Sequence, residues 1–373
     1  MAGLTRKELL AGAAAAGVVA GCGGAPKRDD GLRHFDAFVL ASHPPAVRAA
    51  IEKHRRGLDA DAAGYLHAHE IALNDRVAAE AARALNVRAE DVAFTDSTTM
   101  GLGLVYGGIR VDGDVVTTEH DFYATHEALR LRFGKVPQIR LYADPARATV
   151  DEMVSAVRRG APRRGLLALT WVHSSTGVRL PLRELAAALP GETLLAVDGV
   201  HGLAAVDEPI DAGHVFIAGT HKWLRGPRGT GIVWSRVWDR LRPTIPSFTP
   251  GGGAQAFTPG GYHSFEHRWA LADAFAAHKP AGARIAALAT RLKQGLADIA
   301  KVRLVTPLDP AVSAGIVCFE VDGLAPTEVV DRLRHEHRIA ASVTPYRVTH
   351  ARMGVLGVDE DDVDAAVRAV SRL

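Results

Sequence analysis

The chain has 373 residues, 47% of them hydrophobic and 23% charged, and a net charge of +2. That length exceeds the usual single domain, so it predicts one large and one smaller domain around a substantial core, and the composition excludes a disordered chain. No stretch after residue 30 concentrates Lys and Arg with interleaved aromatics, which excludes a nucleic-acid footprint.

In chain order, a basic start (Arg6-Lys7) leads into a short apolar run, AGAAAAGVVAG, then Cys22 and a polar stretch. This predicts an export signal and linker over residues 1–30, too short in its apolar part to span a bilayer. Val19-Ala20-Gly21-Cys22 resembles a bacterial lipobox, which implies lipidation at Cys22, and Arg6-Lys7 resembles a twin-arginine signal with one Arg replaced. The expectation is an exported, membrane-anchored lipoprotein, with a cytoplasmic protein as the alternative.

From residue 74 onward helical and strand-like segments alternate. LNDRVAAEAARALN reads as a helix, DVAFTD and DVVTTE as strands, HEALRLRFG as a helix and QIRLYA as a strand. DEMVSAVRR and LRELAAAL read as helices, and RGLLALTWV, TLLAVDG, HVFIAG and TGIVW as strands. Such alternation predicts βα units, a mainly parallel sheet and helices on both faces, over a large domain at 31–270 whose opening segment alternatively joins the small domain. Residues 242–262, rich in Pro and Gly, read as a long functional loop, and WALADAFAAHKPAGARIAALATRLKQGLADI reads as one long helical stretch. A smaller α+β domain is expected over 271–373, with Cys318 in its apolar strand AGIVCFEVDG.

In open sheets of this kind ligands sit beyond the carboxyl ends of the strands. After DVAFT come Thr98 and Thr99 at a helix start, suited to a phosphate or to plain capping. His120 follows DVVTTE, and Ser174 lies in WVHSSTG after LLALT. Asp198 ends TLLAV, followed by His201, while Thr220, His221 and Lys222 follow HVFIAG. A phosphate cradle, a flat plate, an acid and a lysine amine from different strand ends together describe pyridoxal 5′-phosphate. His120, His173, His201 and His221 show no HxxxH or HxH pairing and no Cys partner, so no metal site is expected.

The segment GTHKWLRGPRGTG (Gly219 to Gly231), with Asp198-Gly199-Val200-His201-Gly202, resembles the class V aminotransferase family of fold type I pyridoxal-phosphate enzymes. THKWLRGPRG, EHDFYATHEALR and SSTGVRLPL resemble its isopenicillin N epimerase-like and C–S lyase-like branch most. The resemblance implies Lys222 as the Schiff-base lysine and proton shuttle, Asp198 on the ring nitrogen and His120 stacked on the ring. It also implies His201 on the phenolate oxygen, with Ser174 nearby. Thr98, Thr99, Thr220 and His221 would hold the phosphate, and Arg352, or failing it Arg347, the substrate α-carboxylate. Where many members carry Phe-Glu-x-Gly-Thr, this chain has Phe265-Glu266-His267-Arg268-Trp269, so the neighbouring subunit's phosphate contact that the Thr makes is not expected here, with Arg268 as the alternative donor. A homodimer acting on a small amino acid is implied, by transamination or C–S lysis, with epimerisation as the alternative within the family. A phosphate-ligand-binding lipoprotein without catalysis is the alternative outside it. A cysteine desulfurase is not expected, because Cys22 belongs to the lipobox and Cys318 to a strand.

Overall fold

The computed structural model describes residues 31–248, 251–261, 263–344 and 346–373. Cys22 and the whole export-like segment therefore lie outside the described residues, as does Tyr262 at the end of the expected loop.

Seven strands form the larger sheet: β2 (Val92–Thr95), β3 (Asp114–Thr118), β4 (Gln138–Ile139), β5 (Arg164–Thr170), β6 (Glu192–Asp198), β7 (Val215–Gly219) and β8 (Gly231–Ser235), in the order β2-β8-β7-β6-β5-β3-β4. The pairs from β7 through β4 are parallel, and β8 runs antiparallel to both its neighbours. Apart from their first residues, β5 and β6 are almost wholly covered, and β7 and β8 are buried throughout, which is why these strands read as unbroken apolar runs. The β5–β6 register sets Thr170 opposite Asp198, so the polar residues beyond those strands begin at one level. The sheet is flanked by α3 (Thr98–Gly108), α4 (Tyr123–Phe133), α5 (Val150–Gly160) and α6 (Leu182–Ala188). A second sheet of four antiparallel strands, β12-β13-β10-β9, is built from β9 (Val302–Leu304), β10 (Ile316–Val321), β12 (Ser342–Val343) and β13 (Ala351–Gly354). The first strand, β1 (Arg33–His34), pairs in parallel with β11 (Ile339–Ala340).

Several elements differ from the sequence expectation. Two helices precede the first strand of the large sheet, α1 (Pro45–Ala60) and α2 (Ala62–Leu85); the first was not anticipated and the second starts well before Leu73. α1 starts on a proline whose missing N–H is an orphan there anyway. Both pack on α8 (Phe265–Ala277), with Trp269 Nε1 donating to Asn74 Oδ1 at 3.0 Å and Arg76 paired to Asp273 at 2.8 Å. The long helix expected from Trp269 is two helices, α8 and α9 (Gly282–Ala297). Pro280 cannot continue a helix, and the Asp207 carboxylate accepts the N–H groups of Ala281 and Gly282 at 3.1 and 2.8 Å, starting a new one. The long loop contains a single helical turn, α7 (Ala254–Phe257), and β4 is only two residues long. The chain closes with α10 (Pro326–His337) and α11 (Glu360–Arg372), the latter opened by an Asp359/Asp362 capping box.

Candidate active site

His120, Ser174, Asp198, His201 and Lys222 follow or close the ends of β3, β5, β6 and β7, and of these Lys222 faces both His201 and Asp198. Lys222 Nζ lies 2.9 Å from His201 Nε2. Burial pushes the lysine amine below its ordinary value of 10.5, with Arg352 adding to that effect and Asp198 opposing it. Asp198 is 2% exposed, and burial raises its carboxyl above the usual range. The Val200 N–H, donating to Asp198 Oδ1 at 3.1 Å, favours its charged form, as do Lys222 and the Thr125 hydroxyl at 3.5 Å.

The phosphate residues are placed unequally. Thr98 lies at the start of α3, where Ser97 caps the helix by accepting from Met100 N at 3.1 Å, and its Oγ1 accepts from Gly219 N at 2.8 Å. A Cβ at Gly219 would come within 2.8 Å of Thr98 Oγ1 and 3.0 Å of His221 Cε1, so the bare glycine keeps this cradle open. Thr99 is exposed one position further along the helix. The fully buried Thr220 hydroxyl is bonded to the Thr230 hydroxyl and carbonyl. His221 is half-buried, and burial with Lys222 and Arg228 lowers it to about 4. Arg268 is buried over the Phe94 ring at 5.5 Å, with Asp96 as its charged neighbour.

His120 stacks on Tyr142 with ring centroids 3.9 Å apart and an 8° angle, and its buried Nε2 has no partner. A cleft of about 390 Å³ opens beside it, lined among others by Tyr142, Thr176, Arg303 and Tyr346. Arg347 also lines this cleft; it is exposed and donates to the Glu119 carbonyl at 2.8 Å and to Gln138 Oε1. Arg352 differs sharply. It is 5% exposed, lies over the Phe38 ring at 5.0 Å, and donates from Nε to Ser342 Oγ and from Nη1 to the Ser174 carbonyl, each at 3.1 Å. Among the described residues no carboxylate pairs with it, and burial lowers its guanidinium to about 10. A buried cation with free N–H groups and no anion is a receptor for one.

Two participants escaped the sequence reading. Asp121, 1% exposed, accepts from Thr117 Oγ1 at 2.7 Å, Thr118 N and Oγ1 at 2.9 Å and Thr170 N at 2.5 Å, tying the ends of β3 and β5 together beside Asp198. The hydroxyl pair Thr117-Thr118 just ahead of it was the available signal. Phe38, from the segment before α1, packs on His201 and Trp223 at 5.9 Å each. Nothing in HFDAFVL announces that role.

A model of the aminotransferase class-V family matches residues 41–369. The chain belongs to that family. Pyridoxal 5′-phosphate is its cofactor, and the open cradle at Gly219, the unpartnered His120 nitrogen and the buried Lys222 amine fit that group. The chain is 26% identical over 320 residues to the probable hercynylcysteine sulfoxide lyase of Mycobacterium tuberculosis (strain CDC 1551 / Oshkosh), covering 83% of this chain and 80% of that relative. Among solved structures it is similar to the cystine C–S lyase C-DES in complex with cysteine persulfide, with a TM-score of 0.80 at 20% identity, over 92% of this chain and 98% of the other. It is likewise similar to the cysteine desulfurase from Thermococcus onnurineus NA1, with a TM-score of 0.75 at 18% identity, over 91% and 94% of the two chains. These likenesses identify the fold as fold type I. The expectation against a desulfurase gains no support from them, because a desulfurase is among them. On the chain itself, Cys318 is a fully buried free thiol in β10, which burial pushes up to about 12.

Proposed function

We propose that this class V pyridoxal-phosphate enzyme is a C–S lyase that cleaves the carbon–sulfur bond of a cysteine-derived amino acid. The observation that carries it is the buried, anion-free Arg352 in the same crevice as the Lys222 amine, a carboxylate receptor beside a proton-transfer base. The names of the mycobacterial relative and of the structurally similar cystine lyase favour the lyase branch.

The cofactor supplies an electron-withdrawing ring that makes the substrate α-proton removable. The chain supplies the rest. Lys222 Nζ, whose proton affinity burial lowers, takes that proton and returns it to the product or leaving group. Asp198, supported by the Val200 N–H and the Thr125 hydroxyl, would hold the ring nitrogen of the bound cofactor. Arg352 orients the carboxylate, and the cleft beside His120 takes the sulfur-bearing side chain.

The test is to incubate the pyridoxal-phosphate-loaded protein with S-alkylcysteine sulfoxides and cystine and measure pyruvate and ammonia. Release of both, abolished in Lys222→Ala, is expected. Conversion of the cofactor to its amine form with a keto acid product would replace the lyase by an aminotransferase. Racemised substrate would replace it by an epimerase.

A further inference from the structure

His201 joins the lysine to an indole. Its Nε2 lies 2.9 Å from Lys222 Nζ and its Nδ1 accepts from Trp223 Nε1 at 3.4 Å. An indole N–H only donates, so Nδ1 must carry a lone pair. Burial, and with it the Arg352 guanidinium, holds the imidazole well below its usual value, so it is neutral and its single proton sits on Nε2. Two N–H donors cannot bond to each other, and Lys222 Nζ must therefore offer a lone pair to Nε2–H.

We propose that Trp223 is a positioning residue that fixes the tautomer of His201 and, through it, holds the Lys222 amine in its neutral, proton-accepting form. The indole has no freedom to leave. It is 4% exposed and stacked on Phe38 at 5.9 Å and 27°, and a Cβ at Gly315 would sit 2.4 Å from its Cη2. The charges that face Lys222 from other strands are Asp198 of β6, which favours the ammonium, and Arg352 of β13, which opposes it. The titratable groups facing His201 are Lys222, Arg352 and His221. The hydrogen bond adds direction to what burial and Arg352 do by field alone. The same Nε2–H is the donor that an anionic cofactor oxygen requires.

The proposal rests on Lys222 being the cofactor lysine, but its tautomer can be read without cofactor. In full-length, cofactor-free protein labelled with ¹⁵N-histidine, the His201 signals are those missing from His201→Gln. They should show an unprotonated Nδ1 and a protonated Nε2; the reverse pattern overturns the proposal whether or not Trp223→Phe folds. Trp223→Phe keeps a ring against Phe38 and Gly315 but removes the N–H, so both tautomers should appear. The pH profile of borohydride-trapped pyridoxal phosphate on Lys222 should then move upward. Attachment near neutral pH should slow about tenfold and be unchanged in alkali, the scale of one lost hydrogen bond. An unmoved profile, or equal slowing at every pH, overturns the proposal. Absence of any Lys222 adduct in the unmutated protein instead removes the cofactor assignment and leaves the tautomer result standing.

Discussion

Replacing Arg352 tests the carboxylate receptor and separates binding from folding. Its guanidinium spends one N–H on Ser342 Oγ and one on the Ser174 carbonyl, leaving N–H groups on the terminal nitrogens for a two-pronged grip. A charge-assisted hydrogen bond contributes about 1.5–3 kcal/mol, so losing such a pair costs about 3–6 kcal/mol. At about 1.4 kcal/mol per factor of ten, kcat/KM for the amino acid should fall about 10²–10⁴-fold in Arg352→Met and less in Arg352→Lys, which keeps charge without the fork. The control is the amine corresponding to the substrate without its carboxylate, which should react poorly with the unmutated enzyme and be almost insensitive to either change. Stability should run the other way. The folded protein carries a buried cation with no anion, so Arg352→Met, similar in volume, should unfold at an equal or higher urea concentration. Equal losses for amine and amino acid, or a less than about tenfold loss for the amino acid, would refute the receptor argument.

Lys222 titrates lower when folded than its ordinary 10.5, so the unfolded chain holds a proton that the folded one has shed, and stability gains from this group as pH rises toward that value. Urea midpoints should show this alkaline gain shrinking in Lys222→Met; an unchanged pH dependence contradicts the depressed amine. Asp121→Asn should destabilise by about 3 kcal/mol, because an amide cannot accept at both ends from the donors on Oδ1 and Oδ2. Chemical denaturation measures this, and a loss below about 1 kcal/mol refutes the clamp. Cys318→Ala should cost on the order of 1 kcal/mol of stability and leave turnover essentially intact. Activity lost in that variant while the fold persists would restore a thiol mechanism.

The parts legible in the sequence are those where local pattern and environment coincide. β5, β6 and β7 are buried on both faces and read as apolar runs, and the polar residues after them mark the crevice because a parallel sheet collects strand ends on one edge. Lys222 stood out since its neighbours His221, Trp223 and a Gly-Pro loop have no reason to surround a surface lysine. Contacts between distant segments were illegible. Phe38 over Arg352, the Asp207 carboxylate at the start of α9 and the Arg76–Asp273 pair depend on tertiary placement that no window of sequence contains. Thr220 shows the converse limit. Its position after a strand end suggested an outward hydroxyl, but Thr230 across the β7–β8 turn claims it.

The pairing of β1 with β11, and of Phe38 with Arg352, joins the two ends of the described chain. In the order of synthesis, every strand of the larger sheet is present by Ser235, whereas β12 and β13, with Ser342 and Arg352, come more than a hundred residues later. A growing chain can therefore assemble the surroundings of Lys222 long before it owns a place for the substrate's carboxylate. The capacity to hold the cofactor precedes the capacity to choose what reacts with it.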